Sequence, residues 1–264
     1  MSPHQARLAN VTDRTSLSVV MPAFNESESI EAAVTEVVMC VLSVVRGADL
    51  WVIDDGSRDR TSEILDRLTA ADSRLHTIHQ PNRGHGAAVL TGLAAATGDW
   101  ILIIDSDRQI PLDNFETVWE RRQGFDALFG RRLNRHDPFI RKVISTGLKV
   151  QLRIIFHSPM ADANAPFKLI SRRFLEASCR VIPADCLIPS VFLSVYAQHA
   201  GFRYALVDVP YRGRAAGTTS LRKVKLLKFS ARSLAQLIAF KRALARHRPA
   251  LDLSELSPPT PKKP

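Results

Sequence analysis

Three short aliphatic runs in the first 107 residues each break off into a polar, acidic word. Leu17-Ser-Val-Val-Met21 runs into Pro-Ala-Phe-Asn-Glu26, Leu50-Trp-Val-Ile53 into Asp-Asp-Gly-Ser57, and Trp100-Ile-Leu-Ile-Ile104 into Asp-Ser-Asp107. Runs of this length, rich in branched side chains and stopped by turn formers, read as buried strands. Between them the period changes. Ile30, Val34, Val37, Val38, Val41, Leu42 and Val45 have helical spacing, with Glu26, Glu28 and Glu31 where a helix dipole favours acids. This predicts a helix from Ser27 to about Val45. Thr61–Ala71 and Gly86–Ala96 read as further helices, and Leu75–Ile78 as another strand. Strands alternating with helices imply a Rossmann-like, mostly parallel α/β sheet covered on both faces. Such sheets bind ligands beyond the carboxyl ends of their strands, where the acidic words fall.

The second half reads differently. After a strand at Phe125–Phe129, a basic segment (Arg131, Arg132, Arg135, Arg141, Lys142) leads into the apolar stretch Val143–Phe156. Asp162–Ile170 and Tyr204–Val209 read as strands, Ser190–His199 as a helix, and 221–245 as a last helix. The expected organisation is a polar N-terminus (1–16), a catalytic-type domain (17–220), a basic amphipathic extension (221–248) and a Pro-rich tail (249–264). At 264 residues and 45% hydrophobic, one core with appendages fits the length. Cys40, Cys179 and Cys186 have neither disulfide-framework nor zinc spacing, which predicts a reducing, cytoplasmic setting. Neither the N-terminus nor any apolar run suggests a signal peptide or a membrane span, which needs roughly 18 residues. A net charge of +10 favours anionic partners. Nucleic acid is not expected, because no helix-turn-helix, RNA-recognition or zinc signature accompanies that charge. A nucleotidyltransferase would place a Gly-rich, basic loop after the first strand, where this chain has Pro-Ala-Phe-Asn-Glu.

Asp105-Ser106-Asp107 carries the sharpest chemical signal. Two carboxylates two residues apart at a strand end can reach one hard cation, Mg²⁺ or Mn²⁺, and Gln109 follows at the same alternation. The plain alternative is a solvated Asp-Ser-Asp turn. Asp54-Asp55-Gly56-Ser57 could be an ordinary Asx turn, or could offer a carboxylate to a base or ribose. Met21–Glu26 could be a capped helix start, or a loop that cups a base.

Taken in order, VVMPAFNESESI (19–30), WVIDDGSRDRTSEIL (51–65), NRGHGAAVLTGLAAATGDWILIIDSDRQI (82–110), GRRLNRHDPFIRKVIS (130–145), DANAPFKLISRRFL (162–175) and GFRYALVDVPYRGRAAGTTS (201–220) resemble glycosyltransferase family 2. Within that family they are most similar to the dolichyl- or polyprenyl-phosphate mannose synthase branch. The resemblance implies a GT-A fold and a metal-dependent, inverting transfer of a hexosyl group. The donor would be a nucleotide-diphosphate sugar (GDP-mannose or a UDP-sugar), the acceptor polyprenyl phosphate, and the place the inner face of a membrane. A soluble hydroxyl acceptor is the alternative. By the same resemblance, Pro22, Phe24, Glu26, Ile53, Asp55, Asp105 and Ser106 hold the nucleotide, with Arg83 and Gly84 lining the donor site. Asp105, Asp107 and Gln109 hold the metal, and Arg132, Arg141 and Arg214 contact acceptor phosphate or donor diphosphate.

The chain also departs from the family's pattern. It has no Glu-Asp pair to supply a base in the second half and no Glu in Ile188–Leu193, and the Lys common near Ser220 in the lipid-phosphate branch is missing, so that Arg222 or Lys223 would have to substitute. A phosphate acceptor, already anionic, needs no base. In the last helix Lys225, Lys228 and Arg232 share one side, while Val224, Leu226, Leu227, Leu234, Leu237 and Ile238 spread over the other. That apolar face either meets an anionic membrane surface or packs on the protein's own sheet. His85, His157 and His199 read as ordinary loop or surface histidines.

Overall fold

The computed structural model describes residues 15–133, 139–157, 162–212 and 223–246, with residues 139–144 and 223–228 described by backbone alone. Seven strands form one sheet: β1 (Leu17–Ala23), β2 (Asp49–Asp54), β3 (Leu75–His79), β4 (Trp100–Ile103), β5 (Ala127–Arg132), β6 (Lys168–Ser171) and β7 (Tyr204–Val209). Their order is β3-β2-β1-β4-β6-β5-β7. Every neighbouring pair is parallel except the two that involve β6. Strand order therefore reverses between β1 and β4, and a cleft opens there at the carboxyl ends.

The continuous apolar runs follow from burial on both faces. Leu17, Val19 and Met21 join Val34, Val37, Leu65 and Phe115 on one side of the sheet. Val20, Ile101 and Ile103 join Val89, Leu93, Phe174 and Phe192 on the other. The two-residue period of a strand sends alternate side chains to opposite cores, so the strand positions are almost all apolar, and the fully buried Ser18 is kept only because its Oγ accepts from the Thr97 and Gly98 N–H groups (3.1 and 2.9 Å).

The helices are α1 (Ile30–Val37), α2 (Thr61–Ala71), α3 (His85–Ala95), α4 (Phe115–Arg121), α5 (Phe139–Phe156), α6 (Arg172–Cys179), α7 (Pro189–His199) and α8 (Lys223–Arg246). The expected helix to Val45 is corrected: α-geometry stops at Val37, and a π-turn over Val38–Leu42 follows. That wider turn keeps Val41, Leu42 and Val45 facing the core. The expected strand Asp162–Ile170 shortens to β6, because 162–165 closes a turn in which the Ala165 N–H donates to the Asp162 carbonyl (3.1 Å), and Pro166 has no N–H to add to a ladder. Helices α4 and α6 went unread. The second is capped by Ser171, whose Oγ accepts from the Phe174 N–H. In α8, Leu237 and Phe240 are fully buried, and Phe240 meets Phe192 and Phe156. This half of the basic helix packs on the domain.

Two contacts fix the strand ends from below the cleft. Gly86, in the first turn of α3, lies so close to the loop before α7 that an added Cβ would meet the carbonyl oxygens of Cys186 and Leu187 at 2.5 and 2.6 Å. Asp54 closes β2 fully buried and pairs in register with His79, the last residue of β3. Its Oδ2 accepts from Ser62 Oγ (2.6 Å) and bonds His79 Nδ1 (2.9 Å), while Oδ1 accepts from the Ser57 N–H (3.0 Å). Burial alone would raise this carboxyl, but the hydrogen bonds from Ser57, Ser62 and His79 outweigh it and hold it below the ordinary value. The bond to Asp54, with a second to Asp66, raises the His79 imidazole.

Gly86→Ala is expected to destabilise the fold by about 1–3 kcal/mol in urea unfolding, because carbonyl backbone cannot swing away as a side chain could. For His79→Gln the effect depends on pH. A raised folded-state pKa stabilises below the unfolded value and fades as pH climbs past it. The melting-temperature gap between wild type and variant should be widest below about pH 6.5 and narrow steadily above it. A gap that grows with alkalinity would contradict the pairing.

Candidate active site

The acidic words of the sequence end β2, β1 and β4, which are adjacent in the sheet. The first two are stapled together. The Asn25 N–H donates to Ser57 Oγ (2.9 Å), the Arg58 N–H to Asn25 Oδ1 (2.8 Å), and the Glu26 N–H to Thr61 Oγ1 (2.9 Å). Asn25 adopts a left-handed φ of 55° to close this joint, a conformation its short amide tolerates. Phe24 stands partly exposed on the same loop, and Glu26 accepts from Ser29 Oγ.

Asp55 is buried and spends both oxygens on the loop after β3. Oδ1 accepts from Gln80 Nε2 (2.6 Å) and the Arg83 N–H (2.9 Å), and Oδ2 accepts from the Gly84 N–H (2.7 Å). Gly84 has φ 92°, a conformation strained for any residue with a Cβ. Asp55 thus ties together the walls of the cleft. Pro22 and Ile53 are register partners inside the sheet, and Ile53 is fully buried. They form floor beneath the site, and the Ile53 side chain has no exposed surface to offer a nucleotide.

At the end of β4 the three residues Asp105, Ser106 and Asp107 form a tight turn. Ser106 is buried, Asp107 Oδ1 accepts from the Gln109 N–H (3.1 Å), and Arg108 takes a left-handed φ of 54°. Glu36 of α1 holds the outer side, accepting from Arg108 Nε (2.8 Å) and the Leu112 N–H (3.2 Å). A pocket lined by Met21, Ala33, Glu36, Ile104, Asp105 and Asp107 opens beside it. Asp105 Oδ1 meets His85 Nε2 at 3.1 Å. Crowding by neighbouring protein atoms works to lower this imidazole, though its side chain is 56% exposed, and the bond to Asp105 and the charges of Asp105, Asp55 and Asp107 raise it. His85 is the residue the sequence reading passed over. Its signal was the flanking glycines: Gly84 takes the left-handed φ that turns the chain into α3, and Gly86 packs against the Cys186 and Leu187 carbonyls.

Gln109 was expected among the metal ligands. It is 7% exposed. Its Oε1 accepts from the Tyr211 hydroxyl (2.9 Å), while its Nε2 is buried without a partner. An amide nitrogen cannot ligate a cation, so Gln109 would have to offer its oxygen to serve as a ligand. Exchanging the amide's two ends would present the oxygen, and a tyrosine hydroxyl serves either arrangement. Arg132 is also not free to reach outward. Its guanidinium, 9% exposed, forks onto Asp162 through Nε (2.8 Å) and Nη2 (2.7 Å), and lies 5.4 Å from the Tyr211 ring centre. The Arg141, Lys225 and Lys228 side chains and all of Arg214 lie outside the described residues. His199 bonds backbone carbonyls of Val195 and Phe156, as an ordinary packing histidine would.

The donor set suits a hard cation only in part. Asp105 and Asp107 offer carboxylate oxygens, the ligand type Mg²⁺ and Mn²⁺ take, yet no group of three acidic, His or Cys side chains converges among the described residues. A cation held here would take the rest of its shell from phosphate oxygens and water.

Comparison with known proteins agrees with this architecture. The profile described as Glycosyl transferase family 2 matches residues 18–176. The chain is 28% identical over 221 residues to the undecaprenyl-phosphate 4-deoxy-4-formamido-L-arabinose transferase of Pectobacterium atrosepticum, covering 82% of this chain and 66% of that protein. It is 33% identical over 204 residues to glycosyltransferase AglD of Haloferax volcanii, covering 74% of this chain and 33% of the relative. The chain therefore spans just under two thirds of the first relative and one third of the second. Among solved structures, glucosyl-3-phosphoglycerate synthase of Mycobacterium tuberculosis in complex with UDP superposes with a TM-score of 0.63 at 22% identity, over 90% of this chain and 84% of that one. The same enzyme with Mn²⁺, UDP-glucose and phosphoglyceric acid gives 0.63, also at 22% identity, over 90% and 83%. The fold is the expected GT-A arrangement, and the chain belongs to glycosyl transferase family 2.

Proposed function

We propose that this chain transfers a hexosyl group from a nucleotide-diphosphate sugar to a polyprenyl phosphate, with inversion at the anomeric carbon. The observation that carries the reading is Asp105-Ser106-Asp107 set at the carboxyl edge of β4, facing His85 and the Asp55-tied loop across the switch point of the sheet. Undecaprenyl phosphate stands in the names of the arabinose transferases it resembles, and a UDP-sugar with Mn²⁺ in a solved structure of the same fold.

In this reaction an oxygen of the acceptor phosphate attacks the anomeric carbon. A new C–O bond forms as the bond to the diphosphate breaks, and the nucleoside diphosphate leaves with the electron pair. A phosphate oxygen is already anionic near neutral pH, so no residue has to remove a proton from it. Asp105 and Asp107 would hold Mg²⁺ or Mn²⁺, which when bound offsets charge on the departing diphosphate. Phe24, Glu26 and the 80–84 loop bound the cleft in which a base and ribose would lie. Asp55 keeps that loop closed, and the first turn of α3, carrying His85, presents N–H donors and a partial positive charge toward an anion. Arg141 and Arg214 would meet acceptor or donor phosphates, a task for which a guanidinium fork is suited.

The lipid acceptor requires access to a membrane surface. α5 and α8 together carry eleven Lys and Arg residues and no Asp or Glu. They pack against one another through Phe156 and Phe240. On the outer side of α5 Ile154 and Val150 are 69% and 50% exposed, and on α8 Phe229 and Ile238 are partly exposed. Exposed apolar groups on helices that carry cations and no acids match an anionic lipid headgroup layer better than a nucleic acid, which offers no apolar phase. No helix among the described residues is long and apolar enough to cross a membrane.

Two measurements test this reading. Asp107→Asn should retain the fold by circular dichroism but lose sugar transfer to prenyl phosphate in Mn²⁺, with turnover down by about 10³-fold or more, the scale for removing a transition-state charge stabiliser. Normal activity of the variant in chelator would overturn the metal reading, and transfer by wild type only to a water-soluble alcohol would overturn the acceptor. In vesicle sedimentation the protein should bind phosphatidylglycerol vesicles but not neutral ones, and Ile154→Glu should weaken that binding. Raising salt well above 0.15 M should weaken it too, since the Debye length is then below about 8 Å.

A further inference from the structure

Among the described residues Lys168 is the one fully buried cation, and the reaction proposed above makes no use of it. It opens β6 between Ile103 and Phe129, one residue from the acidic turn that ends β4. A methionine would fill the same space without the cost of drying an ammonium group, so the charge calls for a reason. Its Nζ lies 4.7 Å from the Phe129 ring centre and donates to the Ala163 carbonyl (3.1 Å) and to Ser194 Oγ (2.8 Å). The single Ser194 hydroxyl proton in turn lies within reach of the Ala163 carbonyl (2.9 Å) and the Ser190 carbonyl (3.0 Å). Burial pushes the ammonium down to about 7, with Asp162 pulling against that shift and Arg132 adding to it.

The Ala163 carbonyl belongs to the 162–165 turn, and Asp162 at its head grips Arg132 by two hydrogen bonds. Arg132 backs the Tyr211 ring, the Tyr211 hydroxyl meets Gln109, and the Gln109 N–H meets Asp107. The Arg212 N–H donates to the Gln109 carbonyl (2.8 Å), so the segment after β7 is tied to the acidic turn by backbone as well. Each contact joins a different strand end: β6, β5, β7, then β4.

We propose that Lys168 is a positioning residue for the active site. By anchoring the 162–165 turn from inside the core, it fixes the Asp162–Arg132 fork, and through Tyr211 and Gln109 it sets the acceptor-side wall against Asp107. The acceptor-side assignment rests on the function proposed above, whereas the mechanical coupling does not. The donor loops after β1 and β2 lie outside this chain of contacts and are expected to be indifferent to it.

The test uses Lys168→Met, Asp162→Asn, their double variant and, should Lys168→Met fail to fold, Ser194→Ala. The first readout is amide hydrogen exchange on the protein without substrate. Lys168→Met should speed exchange in 129–133, 162–166, 209–212 and 107–110 by about tenfold or more, leaving 17–23 and 49–57 unchanged. The second readout is kinetic. Each single variant should lower kcat/KM for the acceptor about tenfold while the KM for the donor stays within about twofold, and the double variant should be no worse than either single. Uniform exchange changes across the whole chain would reduce Lys168 to a core stabiliser and overturn the proposal. So would kinetic constants within about twofold of wild type, or losses that simply add. If wild type itself proves inactive on prenyl phosphate, the exchange pattern still decides the coupling, and the failure falls on the function alone.

Discussion

Carboxylates crowded at the ends of three adjacent parallel strands repel one another, and the rest of the site is arranged around that repulsion. Asp54 and Asp55 are neutralised inwardly: one by Ser57, Ser62 and His79, the other by Gln80 and two backbone N–H groups. Buried carboxylates persist only when their lone pairs are filled in this way. Asp105 and Asp107 are treated differently. Their partners include an imidazole, whose pKa they raise, and a backbone N–H, and both carboxylates line a pocket. The same residue type, at equivalent places in one sheet, thus serves as mortar at β2 and lines a pocket at β4.

Much of this was legible from sequence because it depends on period and punctuation. Val19 and Val20 in β1 need opposite cores, so an unbroken apolar run signals a doubly covered strand, and the acidic words mark where it ends. Contacts between distant segments left no such trace. Ile53 directly precedes the Asp-Asp-Gly-Ser word, yet its side chain is fully buried in the core. Arg132 looks like a free cation in a basic run until the turn at Asp162, thirty residues on, takes its guanidinium. His85 looked ordinary because nothing in Gly-His-Gly says that α3 starts against β4. The short helices α4 and α6 hold too few turns for a period to show. Pro166 and the Asp162 turn cut β6 down to a fragment of the run that suggested it.

The two halves of the chain carry opposite charge for a connected reason. The first half builds the acidic edge on parallel strands whose loops are short and mutually bonded, which gives a rigid seat. The second half, from β5 onward, contributes cations on elements that cross back over the sheet, including the antiparallel β6. Opposed fields of this kind would draw a cation to the β4 edge and phosphates to the opposite wall. For a reaction that brings two phosphate-bearing molecules together, that second wall is needed as much as the first, since unscreened phosphates repel at close range.

Such a wall must also be held in register with the acidic edge, and surface side chains alone would not do it. Long cations on loops lose rotamer entropy when fixed and are readily screened. The chain instead routes the connection through the core, where Lys168, Ser194 and the Ala163 carbonyl form a compact polar knot beneath the Asp162–Arg132 fork. In a medium of low dielectric each of these bonds is stiffer than its surface equivalent, and a partly satisfied version would cost more than an apolar core. A buried ammonium is therefore a poor way to gain stability but an effective way to make one geometry of the cleft the only satisfied one.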